Sequence, residues 1–438
     1  MEATPPRTST SHVVVRGAQI AAATAGAAGA FVRESFRLSG APDRTPRAAG
    51  RALVGLCTRL GATFIKIGQI ASTRSDLLPQ PLVDELVALQ DRVPPFPFEQ
   101  VRDTIESDLG RPLGEIFADF EREPIAAASV AQVHRAVLRS NGARVAVKVR
   151  RPDILEKIRL DRSILLAVGG ALERVVPTMR LVDVRGALAT FCDAVGQQAH
   201  LVNEADHNRR FTANFEGDPD IGFPVLHPEA CSDAVLTMDF VDGVREEDLL
   251  PAGVDVRALV ATGMRCVCRM IFLHGFVHAD LHPGNLRFQP PGRLVLLDLG
   301  LVGEISEVDR VTTARTIHAL ATGDGVTVAR MFYENAAHAN VSDYAAYERE
   351  IVEFVDAVRA RGLANLEVTR EIGRIFDILR RHRIQARSHM TMANLAMMTA
   401  EGLGKRLAPE LSLTDESIPY LVEALASAPG PAAASITG

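Results

Sequence analysis

Apolar and polar positions along the chain follow a helical period first, then a strand-like alternation, then a helical period again. From Ala48 to about Asp91 the pattern is helical, and Pro94-Pro95-Phe96-Pro97 breaks it. Phe98 to Leu109 reads as a further helix, stopped by Gly110-Arg111-Pro112. Between Phe117 and Val149 the character changes. Val133, Val137, Val145, Val147 and Val149 alternate with polar residues or alanine, and Asn141-Gly142 sits between the two runs, which predicts a β-hairpin. Ile154 to Val176 and Val184 to Phe215 read as helices, and Ala234 to Phe240 as a buried strand ending at Asp242-Gly243. Helical patterns then dominate to the end, interrupted by Leu294-Val295-Leu296-Leu297-Asp298. The pattern predicts a small α+β lobe followed by a helical lobe, without internal repeats.

Composition narrows this picture. The 438 residues are 47% hydrophobic and 23% charged, which excludes wholesale disorder, collagen and coiled-coil arrays. With no Trp and only 5% aromatics, the core must be built of Ala, Leu, Val and Ile. A net charge of −6 lacks the basic footprint of a nucleic-acid binder. The five Cys (57, 192, 231, 266, 268) follow no C-x-x-C spacing and read as reduced core thiols of an intracellular, cytoplasmic protein. No apolar run is long enough to span a bilayer. The segment Ala18 to Phe31, which follows Arg7 and Arg16, is dominated by Ala and Gly. It reads as a small-residue helix packed on the protein or a loose arm, with peripheral membrane contact as the alternative and secretion as the third option.

The chemistry is carried by three segments. Asp280 and Asn285 lie five residues apart in His278-Ala279-Asp280-Leu281-His282-Pro283-Gly284-Asn285, and an apolar strand beyond them runs into Asp298-Leu299-Gly300. Phosphoryl transfer needs a carboxylate to orient the acceptor or water, and an Asn and a second Asp to hold magnesium against phosphates. H-x-D-x-x-x-x-N followed by D-x-G supplies those types in that order. A competing reading makes His274, His278 and His282 a one-face metal stripe, against which Gly275 and Pro283-Gly284 speak. A third makes Asp280 and Asn285 ordinary turn formers. The second segment is Val145-Ala146-Val147-Lys148-Val149. A lysine late in an apolar strand has reason to be buried only if paired, and Glu204, 56 residues on in a helical stretch, is the candidate partner. The alternative is an edge-strand lysine facing water. The third is Pro124 to His134, where Ala126-Ala127-Ala128-Ser129 stands in place of a Gly-rich phosphate loop. Alanine restricts positive φ, so this loop should be stiffer.

With these motifs in order, the chain resembles the UbiB/AarF/ADCK family of atypical kinases over roughly Leu53 to Leu407. The most specific piece is Lys66-Ile67-Gly68-Gln69, continuing to Pro79, then Leu89-Gln90-Asp91 and Pro94-Pro95, which matches that family's K-x-G-Q signature and extension. The resemblance implies an α+β, bilobal protein-kinase-like fold with a helical N-terminal extension laid over the active site. It implies the K-x-G-Q extension at 46–115, a kinase-like N-lobe at 116–242 and a helical C-lobe at 243–428, while composition alone reads as a mobile arm plus one helix at 1–45 and a flexible tail at 429–438. It implies ATP (or ADP) and Mg²⁺ as ligands. Lys66 and Gln69 match the site residues of the extension, and Ala126 to Ser129 the nucleotide loop. Lys148 and Glu204 match the phosphate-binding ion pair, and Leu236-Thr237-Met238-Asp239 the hinge, with Met238 and Asp239 at the adenine. Asp280 matches the catalytic Asp, and Asn285 and Asp298 the metal ligands. Glu401-Gly402 matches a late signature of no clear role.

Three departures stand out. The family's E-x-D, six and four residues before Glu204-Ala205, is Gln198 and His200 here, so the acids implied beside Lys66 are missing. His200 can hydrogen-bond in place of the Asp but does not bring its charge at neutral pH. The metal motif is Asp298-Leu299-Gly300 rather than D-F-G, and Leu keeps the apolar packing. The run Leu421 to Ala426 is too short to match the C-terminal spanning helices of some members. The resemblance implies an ATP-binding kinase or ATPase, transferring or hydrolysing a phosphoryl group in support of isoprenoid-quinone (ubiquinone) or related lipid metabolism. Its partners are then a nucleotide and a small-molecule or lipid acceptor, with a homodimer as an open option. Two alternatives stand beside it: a nucleotide-dependent scaffold binding partner enzymes or lipid, and a kinase for a specialised metabolite.

Overall fold

The structure is a computed structural model that describes residues 10–40, 43–72, 78–89, 94–175, 184–244, 246–249, 254–281, 283–361 and 368–426. The chain divides into two compact units. The first comprises Met1–Arg74, Leu78–Ala205 and Val225–Phe240, and the second Ser75–Leu77, Asp206–Pro224 and Val241–Gly438. The expected N-terminal extension and N-lobe, placed at 46–115 and 116–242, thus fall in one unit. The residues 206–224 fall in the other, because Ile221 and Gly222 pair there with Leu294 and Val295.

The first unit opens with helices α1 (Thr10–Arg37), α2 (Arg44–Leu60), α3 (Ala62–Ser72), α4 (Gln80–Leu86), α5 (Phe98–Leu109) and α6 (Leu113–Ile116). The one helix expected within 1–45 is present as the 28-residue α1, and it spans most of the described part of that segment. What holds α1 is a buried charge: Arg16 bonds Asp161 (2.7 and 3.0 Å) and the Leu60 carbonyl (2.8 Å), and Ile20 is buried beside Leu60 and Phe64. Strands β1 (Phe117–Phe120), β2 (Ala126–Ala127), β3 (Ala131–Leu138) and β4 (Arg144–Arg150) follow, with helices α7 (Ile154–Val175), α8 (Val184–Ala199) and α9 (Leu201–Asn214). After β5 (Ile221–Gly222) comes β6 (Val235–Asp239), which completes an antiparallel sheet of order β1-β3-β4-β6, with β2 paired to β3. The hairpin read from the valine alternation is present: Val137 pairs with Arg144, Gly142 takes φ +72°, and Asn141 Oδ1 accepts from the Ala143 N–H. Val145, Val147 and Val149 are fully buried in a cluster with Val101 and Ile105 of α5. By the period of two, Lys148 and Arg150 point to the opposite face.

The second unit holds α10 (Val256–Cys268), which continues as a π-helical turn to His274, then β7 (Phe276–His278), β8 (Leu286–Gln289), β9 (Arg293–Leu296) and β10 (Val302–Glu304). Helices α11 (Glu307–Thr322) and α12 (Gly325–Glu334) precede the short β11 (His338–Ala339). Then come α13 (Tyr344–Arg361), α14 (Val368–Arg381), β12 (Ile384–Gln385), α15 (Ser388–Leu407) and α16 (Leu413–Ala426). β8 and β9 form a hairpin joined in parallel by β5, and β7 pairs with β10. The five cysteines are free thiols, four of them buried. No helix among the described residues is long and apolar enough to cross a membrane. The expected tail at 429–438 lies outside the described residues.

The π turn ends at Gly275, which takes φ +60° and sets the direction of β7. A Cβ there would lie 2.3 Å from the Ile305 carbonyl oxygen, a backbone atom. Gly275→Ala should therefore lower stability by about 2 kcal/mol or more, from the left-handed backbone and the contact together. Urea unfolding checks this, and an unchanged midpoint would refute it.

Candidate functional site

In the first unit, Lys148 Nζ donates to both carboxylate oxygens of Glu204, at 3.0 and 2.8 Å. The two residues are 6% and 4% exposed. Glu204 stands in the first turn of α9, where a carboxylate also complements the helix dipole.

The chain reaches Glu204 through a break that sequence periodicity did not reveal: the helix expected from Val184 to Phe215 is two helices, parted at His200. Side chains cap the break. Asn203 Nδ2 donates to the Gln197 carbonyl (2.9 Å), Arg150 to the Ala199 carbonyl (3.2 Å), and the Leu201 N–H to the Asp233 carbonyl (3.0 Å). Asp233 accepts from Arg150 and pairs with His200 Nδ1 at 2.9 Å. Burial acts to raise the Asp233 carboxyl, but Arg150 and His200 outweigh it and hold it below the usual range. An acid thus does stand beside position 200, supplied from a turn 33 residues away; no local signal in the sequence marked Asp233.

Position 198 is different. Gln198 is 7% exposed, and its Nε2 has no hydrogen-bond partner among the described residues. Lys66, on α3, is 8% exposed. Among the described residues it has no hydrogen bond or ion pair. Gln69 Nε2 donates to the Leu89 carbonyl (2.7 Å), so it ties α3 to the segment that follows α4.

The Ala-rich segment is a tight hairpin. Ala126 pairs with Val133, Ala127 with Gln132, and the Ala128 N–H donates to the Ala131 carbonyl (2.8 Å). None of residues 126–129 takes a positive φ, as alanine requires. Ser129, at the corner, is 1% exposed and its Oγ has no partner among the described residues. Two residues that the sequence reading passed over, Gln132 and Arg151, lock this hairpin to the Pro94–Pro97 linker, and His134 braces the first. Gln132 accepts from the Phe96 N–H (3.0 Å) and contacts His134 (2.9 Å), whose other nitrogen bonds the Glu121 carbonyl. Arg151 donates to the carbonyls of Ala128 (2.9 Å) and Pro94 (2.8 Å) and lies over the Phe96 ring. Only the Pro-rich break announced a structured linker; the clamp residues had no signature.

On β6, the Phe240 N–H donates to the Arg144 carbonyl, so the even-numbered residues hydrogen-bond β4 and the odd ones the other edge. There the Thr237 carbonyl accepts from His227 (2.9 Å) and the Asp239 N–H donates to Val225 (2.8 Å). That removes the Asp239 N–H from the groups that could hold adenine.

In the second unit, β7 leads through Ala279 to Asp280. The Asp280 N–H donates to His278 Nδ1 (3.0 Å), and His278 is fully buried. The Asp280 carbonyl accepts from Asn285 Nδ2 (3.0 Å), and the Leu297 N–H donates to the Asn285 carbonyl (2.8 Å). Backbone groups thus fix the loop, while the Asp280 carboxylate, partly exposed, has no partner among the described residues. Asp298 follows β9, and its Oδ1 accepts from the Gly300 N–H (3.3 Å). Leu299 is buried, and its carbonyl bonds His207 Nδ1 (2.9 Å). The histidine-stripe reading fails on backbone grounds: His274 ends a π turn, His278 lies on a strand beyond Gly275, and His282 lies outside the described residues.

Asn285 and Asp298 fit magnesium by donor chemistry. With Nδ2 engaged on the Asp280 carbonyl, Asn285 has its amide oxygen left, and Asp298 adds a carboxylate. Hard oxygen donors in small number, completed by water and phosphate, suit this cation.

A profile of the ABC1 atypical kinase-like domain matches residues 88–332, and one of the UbiB helical domain matches 351–412. A probable protein kinase UbiB of Marinobacter nauticus is 33% identical over 386 residues, 85% of this chain and 69% of that protein. Among solved structures, a complex of Rv3197 with erythromycin from Mycobacterium tuberculosis superposes with a TM-score of 0.52 at 21% identity. That match covers 80% of this chain and 93% of the other, and it speaks for the fold.

Two outcomes follow. Lys148→Met leaves a buried carboxylate without its counter-charge and should cost about 3–5 kcal/mol in urea unfolding, with part regained in Lys148→Met/Glu204→Leu. No regain would mean the carboxylate is not the source of the cost. The second concerns His274, whose ring packs on Phe215 and whose Nε2 is buried without a partner among the described residues. Burial first, then Arg269 and Arg310, depress it to about 4. The unfolded chain therefore takes up a proton below about pH 6.5 that the folded ring refuses, and stability falls from there down to about pH 4. His274→Phe should flatten that slope in thermal melts across the range; an unaltered slope would rule His274 out as its origin.

Proposed function

The chain belongs to the ABC1 atypical kinase-like (UbiB) family, and from that premise we propose that it binds ATP with Mg²⁺ and transfers or hydrolyses the terminal phosphoryl group. The observation that carries this reading is the doubly hydrogen-bonded, buried Lys148–Glu204 pair. An ion pair so placed is weak evidence for stability, since desolvating both charges offsets most of their attraction. It is well suited to presenting a fixed ammonium to an anion.

Each residue then has a task in the chemistry. Lys148, held by Glu204, neutralises phosphate charge. Ser129 offers a buried hydroxyl that still lacks a partner among the described residues. Asp280 orients the attacking hydroxyl or water and accepts its proton as the bond to phosphorus forms. Asn285 and Asp298 hold the cation, which supplies charge neutralisation at the phosphates. The acceptor class we infer is an isoprenoid-quinone precursor or related lipid, supported by the similarity to a protein named for UbiB.

A second reading, a nucleotide-binding scaffold with little turnover, is favoured by one observation: Gln198 leaves Lys66 without the acid that the family pattern supplies.

Magnesium-dependent ATP turnover by wild type beside Asp298→Asn, with and without phenolic quinone-precursor mimics, separates the two. Removal of one electrostatic group from the transition state costs about 3–4 kcal/mol, so the variant should lose at least 100-fold in turnover. Tight nucleotide binding with no turnover that the substitution alters would favour the scaffold.

A further inference from the structure

Helices α1 and α2 of the first unit enclose an open notch of about 290 Å³, away from the residues given tasks above. Its floor is small: Gly26, Ala27 and Ala30 from α1, Ala52 and Gly55 from α2. Its walls are charged: Arg33 and Arg37 from α1, Arg51 and Arg59 from α2, around the single carboxylate of Glu34. Glu34 is 7% exposed. It accepts from Arg51 and Arg37 at 3.2 Å each, with Arg33 at 3.9 Å. Arg51 also bonds Glu85 (3.1 Å). These contacts set the Arg37 and Arg51 guanidiniums in place, but Glu34 and Glu85 together do not neutralise four cations.

Arg59 is the informative member. It has no hydrogen bond or ion pair among the described residues. Its Nη1 lies 2.5 Å from where a Cβ on residue 26 would sit, so glycine at 26 leaves room for the guanidinium in this position. A glycine inside a helix costs about 1 kcal/mol relative to alanine. Here the space at Gly26 is taken by an unpaired cation in a notch already rich in cations.

We propose that this notch binds a phosphate-bearing anion. Arg33 and Arg59 present open guanidinium forks, and Arg37 and Arg51, oriented by Glu34, complete the positive walls. Planar forks match phosphate oxygens two at a time. The anion can be a phospholipid headgroup or a free phosphate compound. Val32 and Phe36, one helical turn apart and next in sequence to Arg33 and Arg37, are 52% and 73% exposed, which sets apolar side chains beside the phosphate forks.

The test uses the full chain in magnesium-free buffer, so that metal-dependent nucleotide binding does not contribute and failure of the kinase reading leaves the result intact. Two probes are compared: inorganic pyrophosphate by calorimetry, and co-sedimentation with phosphatidylglycerol vesicles against phosphatidylcholine vesicles. Arg33→Gln/Arg59→Gln should weaken binding at least about tenfold, since each lost charged hydrogen bond is worth a decade in Kd. Its melting temperature should stay unchanged. Gly26→Ala, which displaces Arg59 and keeps every charge, should weaken binding less. Loss confined to phosphatidylglycerol vesicles assigns a lipid headgroup, and loss of pyrophosphate with vesicles unaffected assigns a free phosphate compound. Wild type that binds neither probe, or variants that bind both as wild type does, would overturn the proposal.

Discussion

A lysine ammonium taken out of water governs the first unit. Moving an ammonium and a carboxylate into a protein interior costs several kcal/mol for each, and only close, doubly hydrogen-bonded geometry offsets it. Lys148 and Glu204 meet that requirement, at 2.8 and 3.0 Å. The requirement propagates. Glu204 must be held over β4, so α9 has to start at a fixed point, and the break at His200 has to be rigid. Arg150, two residues from Lys148 on the same face, caps α8 and engages Asp233, which receives the first N–H of α9. The opposite face carries three fully buried valines against α5. One strand therefore has an apolar side that anchors it and a charged side that positions two helices, and the period of two keeps the tasks apart.

The second unit solves the complementary problem, which is to keep the Asp280 carboxylate available. Asp280 and Asn285 are fixed through backbone groups: the Asp280 N–H by His278, the Asp280 carbonyl by Asn285 and the Asn285 carbonyl by Leu297. Short strands suffice here because the loop rests on a large cluster that includes Phe211, Phe272, Phe276 and Leu296. Phe211 stacks on Phe223 and packs at 4.6 Å on Phe276, the first residue of β7. The left-handed turn at Gly275 points β7 away from the π turn, which is why His274 and His278, four residues apart, do not share a helix face.

What could be read in advance was whatever depended on local period or on residue types in a required order. The β3–β4 hairpin, helix Phe98–Leu109 and strand Val235–Asp239 lie where the apolar pattern placed them, because strand alternation and a proline-bounded helix are local properties. A lysine in an apolar strand demanded a buried partner, and the fold brings Glu204 to it. What escaped reading was tertiary. The N-terminal helix was legible, but not what fastens it, because alanine and glycine carry little apolar drive and the contact comes from Arg16 reaching Asp161, 145 residues away. Gln132 and Arg151 clamp the 94–97 linker through backbone carbonyls and N–H groups, which leave no trace in residue spacing. The helix break at His200 is invisible to a periodicity that stays helical on both sides of it.

The two departures from the family pattern part company once their surroundings are considered. At position 200 the missing negative charge is compensated: Asp233 lies 2.9 Å from His200, and Arg150 holds its carboxyl below the usual range along with His200. At position 198 it is not. Gln198 offers a neutral amide whose Nε2 lacks a partner among the described residues, and no acid meets Lys66. A charge that is replaced in place preserves the local electrostatics whatever residue bears it, because the field depends on where the carboxylate sits and not on which position supplies it. A charge that is deleted leaves its former partner to whatever anion can reach it, and a mostly buried ammonium is costly until one does. Of the two altered positions, 198 is thus the one left without an acid partner among the described residues.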